Sequence, residues 1–89
     1  MLRQIYTTKF SKDIVRMAKR GKDLNKIKKI IDLLSLEKTL DSKYRDHNLS
    51  GNYIKRRECH IEPDWLLIYK LEDDEIIFER TGTHSDLFK

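Results

Sequence analysis

Apolar residues recur at a helical period in the N-terminal third of the chain, after a segment at residues 2–7 that can form a first strand. A first helix is predicted by four residues of one stripe: Phe10, Ile14, Met17 and Ala18. Ser11 is placed to cap the N-terminus of this helix, with Asp13 in its positively polarised first turn. Gly21 is expected to end the helix, as glycine commonly does.

A second apolar stripe predicts a second helix, which begins after Asp23 as the capping residue. Its members lie 3, 4 and 3 residues apart: Leu24, Ile27, Ile31 and Leu34. The remaining surface carries a basic series: Lys22, Lys26, Lys28 and Lys29. Because only two or three residues separate the helices, they are predicted to form an antiparallel hairpin.

From residue 55 onward the apolar period changes to two, which predicts strands. The three predicted strands span residues 56–61, 65–71 and 76–81. The middle strand is nearly all apolar, so it should be covered on both faces and lie centrally in a sheet. Residues 37–54 carry polar and turn-forming residues and predict a long loop, and residues 85–88 predict one helical turn.

The order β-α-α-β-β-β predicts a single α+β domain over residues 1–89, in which a helical hairpin covers one face of an antiparallel sheet. A chain of this length holds one modest core. Only the loop at 37–54 and the C-terminal tail remain to cover the other face. That face should therefore be partly open, and we expect the functional site on it.

Composition restricts the class of protein. Charged residues make up 38% of the chain, and the longest strictly apolar run, residues 65–69, is far shorter than the ~20 residues of a membrane helix. Lys9, Lys12 and Arg16 interrupt any signal-like segment, so a cytoplasmic protein without a membrane partner is expected. Cys59 is the single cysteine, which excludes an internal disulfide and favours a small core residue.

Charge is distributed unevenly along the chain. Residues 1–46 hold 13 Lys and Arg against 6 Asp and Glu, and residues 47–89 hold 6 against 9. A basic half favours a polyanionic partner such as RNA or DNA. A solvated helical face rich in lysine explains the same charge without any partner.

Three histidines are the residues best suited to moving protons near neutral pH. His47 lies in the long loop, His60 near the end of a strand and His84 just after the last strand, so they can converge at one end of the sheet. Three unrelated surface histidines remain the alternative. The three histidines and Asp64 are ligand types that zinc accepts. The histidines are 13 and 24 residues apart, however, which are not the intervals of a metal motif, and no metal is expected.

Arginine and aromatic residues near these histidines suit an RNA ligand. Arg57, or its neighbour Arg56, should share the face of His60, and Arg80 ends the last strand, so each is a candidate for a phosphate contact. Trp65 and Phe88 can stack on bases or fill the core.

Three blocks of sequence carry a specific resemblance. They are residues 44–51 (YRDHNLSG), 57–70 (RECHIEPDWLLIYK) and 78–88 (FERTGTHSDLF), and residues 10–13 (FSKD) agree with them. In this order and spacing they strongly resemble the YafQ toxins of the RelE superfamily. One departure is Asn48, which stands where the family usually has proline.

The resemblance implies a bacterial type II toxin with a RelE-like, microbial-RNase-like fold. Such toxins are endoribonucleases that enter the ribosomal A site and cut mRNA there, with no metal or cofactor. The site residues that carry over are His47, His60, Asp64, Trp65, His84 and Phe88. His47 is expected to act as base and His84 as acid, with His60 and Asp64 steadying the phosphate.

The resemblance also implies a cognate antitoxin of the DinJ or RelB kind, with a ribbon-helix-helix region and an acidic C-terminal segment. Operator DNA would be bound only through the toxin–antitoxin complex. Two other interpretations stay open from the residues alone. One is a non-catalytic nucleic-acid-binding or regulatory module that acts through its basic helical face, and the other is a protein that only binds a partner chain.

Overall fold

A computed structural model describes residues 1–88, with the backbone alone at residue 52. The elements, in chain order, are β1 (Arg3–Tyr6), α1 (Thr8–Lys19), α2 (Leu24–Ser35), β2 (His47–Asn48), β3 (Arg57–Glu62), β4 (Trp65–Glu72), β5 (Glu75–Gly82) and α3 (His84–Leu87). Two short 3₁₀ turns, at Ser42–Tyr44 and Gly51–Tyr53, interrupt the long loop. Within these residues, no helix has the length and apolar character needed to cross a membrane.

The strands form one sheet in the order β1-β5-β4-β3-β2, which confirms the predicted α+β class with its helical hairpin. The sheet is mixed rather than antiparallel, because β1 pairs with β5 in parallel while the other neighbours are antiparallel. No tight turn links β1 to β5, so the local sequence contains no signal for their relative direction. The short β2 lies within the segment predicted to be entirely loop.

Strand β4 is apolar on both faces because both faces are covered. Trp65, Leu67 and Tyr69 belong to the core beneath the helical hairpin. Leu66 and Ile68 face the opposite side, where Leu87 of α3 packs with two residues of the loop, Leu49 and Tyr53. This second face is partly covered by the loop and the tail, as predicted.

The helix caps agree with the sequence at α2 and differ at α1. Asp23 caps α2 by accepting a hydrogen bond from the backbone N–H of Asn25 at 3.0 Å. Helix α1 begins four residues earlier than expected, because Thr7 and not Ser11 is its cap and accepts from the N–H of Phe10 at 3.0 Å. Asp13 is consequently past the first turn, and its carboxylate is buried.

Candidate active site

The three histidines converge on the partly open face, near one end of the sheet. His47 lies on β2, His60 on β3 and His84 at the start of α3. The ring centroids of His47 and His60 are 6.3 Å apart, and those of His60 and His84 are 5.9 Å apart. Residues separated by up to 37 positions in the chain therefore form one cluster, because β2 pairs with β3 and α3 folds back over the sheet.

A buried glutamate, Glu58, lies beneath two of these rings. Its Oε2 is 3.1 Å from Nε2 of His47 and 3.8 Å from Nε2 of His60, and only 6% of the residue is exposed. The sequence interpretation missed this residue. A signal was present, since Glu58 is two positions before His60 on the same strand and so shares its face.

Asp64 orients His84 from the turn between β3 and β4. Its Oδ1 lies 2.6 Å from Nδ1 of the ring and accepts the backbone N–H of the same residue at 2.9 Å. These bonds, the backbone one first, hold the pKa of the Asp64 carboxyl below its usual value. Nδ1 therefore carries the ring proton, and Nε2 of His84, which has no hydrogen-bond partner within residues 1–88, is free for proton transfer.

His47 is held at both ring nitrogens. Nδ1 lies 2.5 Å from the carbonyl oxygen of Arg45, and Nε2 faces Glu58. Both neighbours can accept hydrogen bonds, so each ring nitrogen of His47 faces an acceptor. His60 has its Nδ1 3.2 Å from the carbonyl oxygen of Pro63, to which it donates.

The two aromatic candidates have different positions. Phe88 is 40% exposed, its ring lies 6.4 Å from that of His84, and it meets Tyr53 edge to face. Trp65 is completely buried, and its indole N–H donates to Oγ1 of Thr81 at 2.9 Å. Trp65 is therefore a core residue, which is the second of the two roles that the sequence left open for it.

Neither predicted arginine has its guanidinium free. Strand alternation places Arg57 on the face opposite to His60, where its Nε is 3.3 Å from Oδ1 of Asp46 and 3.3 Å from the hydroxyl of Tyr69. One of the neighbours Arg56 and Arg57 was expected on the face of His60, and Arg57 is the one that lies on the other face. Arg80 donates from Nε to Oδ2 of the buried Asp13 at 2.8 Å, which raises the pKa of the guanidinium.

Three of the four lysines on the basic face of the hairpin are paired with carboxylates. Lys22 and Lys26 bind the two oxygens of Glu62 at 2.7 and 2.9 Å, and these bonds lower the pKa of that carboxyl. Lys28 pairs with Asp32 on its own helix at 3.3 Å. Lys29 alone of the four lysines has no carboxylate within 4.0 Å in the part of the chain that the structure describes.

No group of three or more His, Cys, Asp and Glu residues within the described chain has the arrangement of a metal site. The cluster offers instead a ring nitrogen of His84 without a partner in the described chain, a His47 ring with an acceptor at each nitrogen, and two carboxylates that orient these rings. Such a set can remove one proton and deliver another. General acid–base catalysis needs such a pair.

Comparisons with known proteins match one family over nearly the whole chain. The family model described as "Bacterial toxin of type II toxin-antitoxin system, YafQ" matches residues 2–89. The chain is 48% identical over 85 residues to the mRNA interferase toxin YafQ of Escherichia coli K12, covering 93% of this chain and 91% of that protein.

The structure is also similar to solved structures of toxins. The toxin in the E. coli DinJ–YafQ complex is 44% identical, with a TM-score of 0.92 and full coverage of both chains. A copper-bound mutant toxin from Helicobacter pylori is 39% identical, with a TM-score of 0.94 over 99% of this chain and 100% of that one.

Proposed function

Because this chain belongs to the YafQ family of bacterial type II toxins, we propose that it is an mRNA interferase, an endoribonuclease that cuts mRNA in the ribosomal A site. The observation that carries the proposal is the cluster of His47, His60 and His84 around two carboxylates. RNA supplies its own nucleophile, the 2′-hydroxyl. The protein has only to remove that proton, stabilise the pentavalent phosphate and protonate the leaving 5′-oxygen.

His84 is the base that the geometry favours. Its Nδ1 proton is held by Asp64, so the lone pair of Nε2 is available to the 2′-hydroxyl. A carboxylate behind an imidazole also stabilises the imidazolium that forms when the proton is taken. The 2′-oxygen then attacks phosphorus, and the bond from phosphorus to the 5′-oxygen breaks.

His47 is the acid in the same scheme. In its imidazolium form it donates from both nitrogens, and the Nε2 proton passes from its contact with Glu58 to the leaving 5′-oxygen. These roles are the reverse of those expected from the sequence. They leave a 2′,3′-cyclic phosphate on one product and a 5′-hydroxyl on the other, so atoms and charge balance without a metal or a water.

His60 and Phe88 complete the proposed site. His60 lies between the other two rings and is suited to stabilising charge on the phosphate oxygens. Phe88 presents an exposed ring beside His84 on which a base adjoining the cut can stack. Asp64 acts by orienting His84.

We assign the partners from the relatives. E. coli YafQ forms a complex with DinJ. The proposed partner of this chain is an antitoxin of the same kind, with a ribbon-helix-helix region and an acidic segment that complements its basic half. Operator DNA is bound through that complex, and the proposed location is the cytoplasm. Direct DNA binding through the hairpin is disfavoured, since Lys22 and Lys26 already bind Glu62.

Analysis of the cut ends tests the mechanism. Programmed ribosomes are incubated with the protein, and the fragments are examined for a 2′,3′-cyclic phosphate and a 5′-hydroxyl. A metal-activated water would typically leave a 3′-hydroxyl and a 5′-phosphate. His84→Ala and His47→Ala should each reduce cleavage by about 10²–10⁴-fold.

Two controls accompany this test. Ser85→Ala changes an exposed neighbour of His84 on α3 and should cleave normally. Chelator, with the magnesium of the ribosome held constant, should leave the rate unchanged. Full activity in either histidine variant, or a 5′-phosphate on the downstream fragment, contradicts the proposal.

A further inference from the structure

A groove of about 610 Å³ runs from the helical hairpin to His60. One wall is α2, the other is the 3₁₀ turn at Ser42–Tyr44, and the floor is the end of β3. The residues that line it, here called the lysine groove, are Lys26, Lys29, Lys43, Tyr44, Arg45, His60, Ile61, Glu62 and Pro63. The groove therefore opens at one end onto the histidine cluster.

The lysine groove carries positive charge that the protein does not neutralise. Its single carboxylate, Glu62, is already bound by Lys22 and Lys26. Within residues 1–88, no carboxylate lies within 4.0 Å of the charged nitrogens of Lys29, Lys43 or Arg45. Cations on both walls of one groove, without counter-charges, form a site for a polyanion.

A second groove on the other side of His84 differs in this respect. It has a volume of about 590 Å³, and its lining includes Phe88, Lys9 and two arginines. Arg56 binds Glu79 at 2.6 Å, and Arg80 binds Asp13 at 2.8 Å, so both guanidinium groups are neutralised. Within residues 1–88, Lys9 is then the only cation of this groove without a carboxylate within 4.0 Å, against three such cations in the lysine groove, which therefore has the stronger attraction for phosphate.

The groove also offers an aromatic surface. Tyr44 lines the groove beside Lys43, whose ammonium is 5.1 Å from the centroid of the Tyr44 ring. Ile61 and Pro63 complete an apolar floor. Proteins that bind single-stranded RNA combine such aromatic surfaces for the bases with cations for the backbone.

Arg45 connects the groove to the catalytic residues. It adopts the left-handed conformation, with φ of 50°, which is uncommon for a residue other than glycine. The side chain of Arg45 lines the groove, while its carbonyl oxygen lies 2.5 Å from Nδ1 of His47. A ligand held by Arg45 is thus held next to the residue that fixes the orientation of His47.

We propose that the lysine groove binds the nucleotides on one side of the scissile phosphate, with phosphates on Lys29, Lys43 and Arg45 and a base on Tyr44. The proposal rests on the proposed ribonuclease function. It adds a strand-binding subsite, separate from the residues that transfer protons. RNA is favoured over an acidic peptide because a strand cut among the histidines has to leave through an adjoining groove, and this one has the uncompensated charge.

Binding of a 2′-O-methyl RNA oligonucleotide tests the subsite, since RNA without a free 2′-hydroxyl is not cut. The affinity is measured by fluorescence anisotropy over a salt series. The groove variant combines Lys29→Gln, Lys43→Gln and Arg45→Gln. The control variant combines Lys12→Gln, Lys19→Gln and Lys38→Gln, which remove the same charge from exposed positions outside the groove.

The expected difference lies in the salt dependence. Each phosphate contact to a single strand contributes about 0.7 to the slope of log K against log salt, so the groove variant should lose about 2 in slope. The control variant should lose much less. Tyr44→Leu should weaken binding about tenfold at every salt concentration, while Tyr44→Phe retains it. On ribosomes, the groove variant should raise KM more than it lowers kcat.

Three results overturn the subsite: equal losses in the two triple variants, unchanged RNA affinity in the groove variant, or wild-type protein that does not bind the oligonucleotide at low salt. If RNA binding is unchanged but affinity for purified antitoxin falls, the groove is a peptide site instead. Failure of the ribonuclease proposal is separate, because it appears as intact mRNA with wild-type protein, whatever the binding series shows.

Discussion

Arg20 and Asp86 form a bidentate ion pair that joins the end of α1 to α3. Nη1 of Arg20 is 2.6 Å from Oδ2 of Asp86, and Nη2 is 3.0 Å from Oδ1. Asp86 also accepts the backbone N–H of Thr83 at 2.9 Å, as one half of a capping box. The helical hairpin therefore holds the short helix that begins with His84.

Arg20→Ala should lower kcat by about tenfold, because α3 loses the contact that orients His84. The effect on the free energy of unfolding should be small beside the loss of activity, because the Arg20 side chain is 42% exposed and screened by solvent. Lys28→Ala breaks an exposed pair on the same hairpin, Lys28 with Asp32, and is the matched control. Cleavage rates and urea unfolding of both variants check this, and an equal loss of activity in Lys28→Ala would contradict it.

The same pair has a pH dependence of known sign. The hydrogen bond from Arg20 lowers the pKa of Asp86, with smaller contributions from Thr83. A depressed carboxyl pKa gives stability that is present above the unfolded value of ~3.9 and is lost as pH falls through the folded value. The Arg20→Ala variant should therefore differ least from the wild type in its unfolding free energy at the most acidic pH.

Asp13 makes a larger contribution to stability, because its buried carboxylate closes the edge of β5 beyond the end of β1. It accepts from the backbone N–H of Thr81 at 3.1 Å and from Arg80, and it pairs with Arg16. Asp13→Ala leaves these donors without an acceptor and should cost about 3 kcal/mol. Asp32→Ala, which removes an exposed carboxylate, should cost less than about 1 kcal/mol.

The sequence was informative where a residue's role follows from its period. The stripe of α2, its cap at Asp23 and the doubly covered strand β4 were all predicted from local patterns. The roles of Asp13 and Trp65 were not, since each depends on a partner more than 15 positions away, at Arg80 and Thr81. The parallel direction of β1 was not predicted either, because it depends on pairing with the distant strand β5.

In the candidate site, too, some residues were predicted from the sequence and others were not. His47, His60 and His84 were predicted from residue type and from the resemblance, and they do converge. Glu58 was missed although its spacing from His60 puts both residues on one face. Only its contact with His47 was hidden, because that contact depends on the pairing of β2 with β3, in a segment that has no clear period. The choice between Arg56 and Arg57 for the face of His60 stayed open, because the sequence does not show at which residue β3 begins.

Trp65 and Phe88 should respond in opposite ways to truncation. Trp65→Ala removes a fully buried ring and should cost about 3–5 kcal/mol of unfolding free energy. Phe88→Ala removes a ring that is 40% exposed, and it should change stability little while weakening cleavage. Thermal unfolding and cleavage assays on both proteins separate these effects, and a stable, inactive Trp65→Ala protein would contradict the assignment.

Cys59 should be inert in the folded protein. Burial raises the pKa of its thiol, with smaller contributions from Asp46 and Glu58, so the reactive thiolate is scarce at neutral pH. Ellman's reagent should therefore modify the protein only as fast as it unfolds. Cys59→Ala should retain cleavage activity, and rapid labelling of the native wild type would contradict the burial.

The pH–rate profile should be bell-shaped and should identify which histidine is the acid. If His84 is the base, it has to be neutral, and activity falls on the acid side as it protonates. If His47 is the acid, activity falls on the alkaline side as it loses its proton. Asp64 stays ionised across this range, because its pKa is lowered, and it does not produce either limb.

Substitutions of Glu58 and Asp64 should shift different limbs of the pH–rate profile. Glu58→Gln removes the charge that stabilises protonated His47, so the alkaline limb should move to lower pH. Asp64→Asn removes the charge behind His84, so the acid limb should move to lower pH. Glu37→Gln, at an exposed position, is the control and should leave both limbs in place. If the histidines have the opposite roles, Glu58→Gln moves the acid limb and Asp64→Asn the alkaline one, so the two profiles measured together distinguish the two mechanisms.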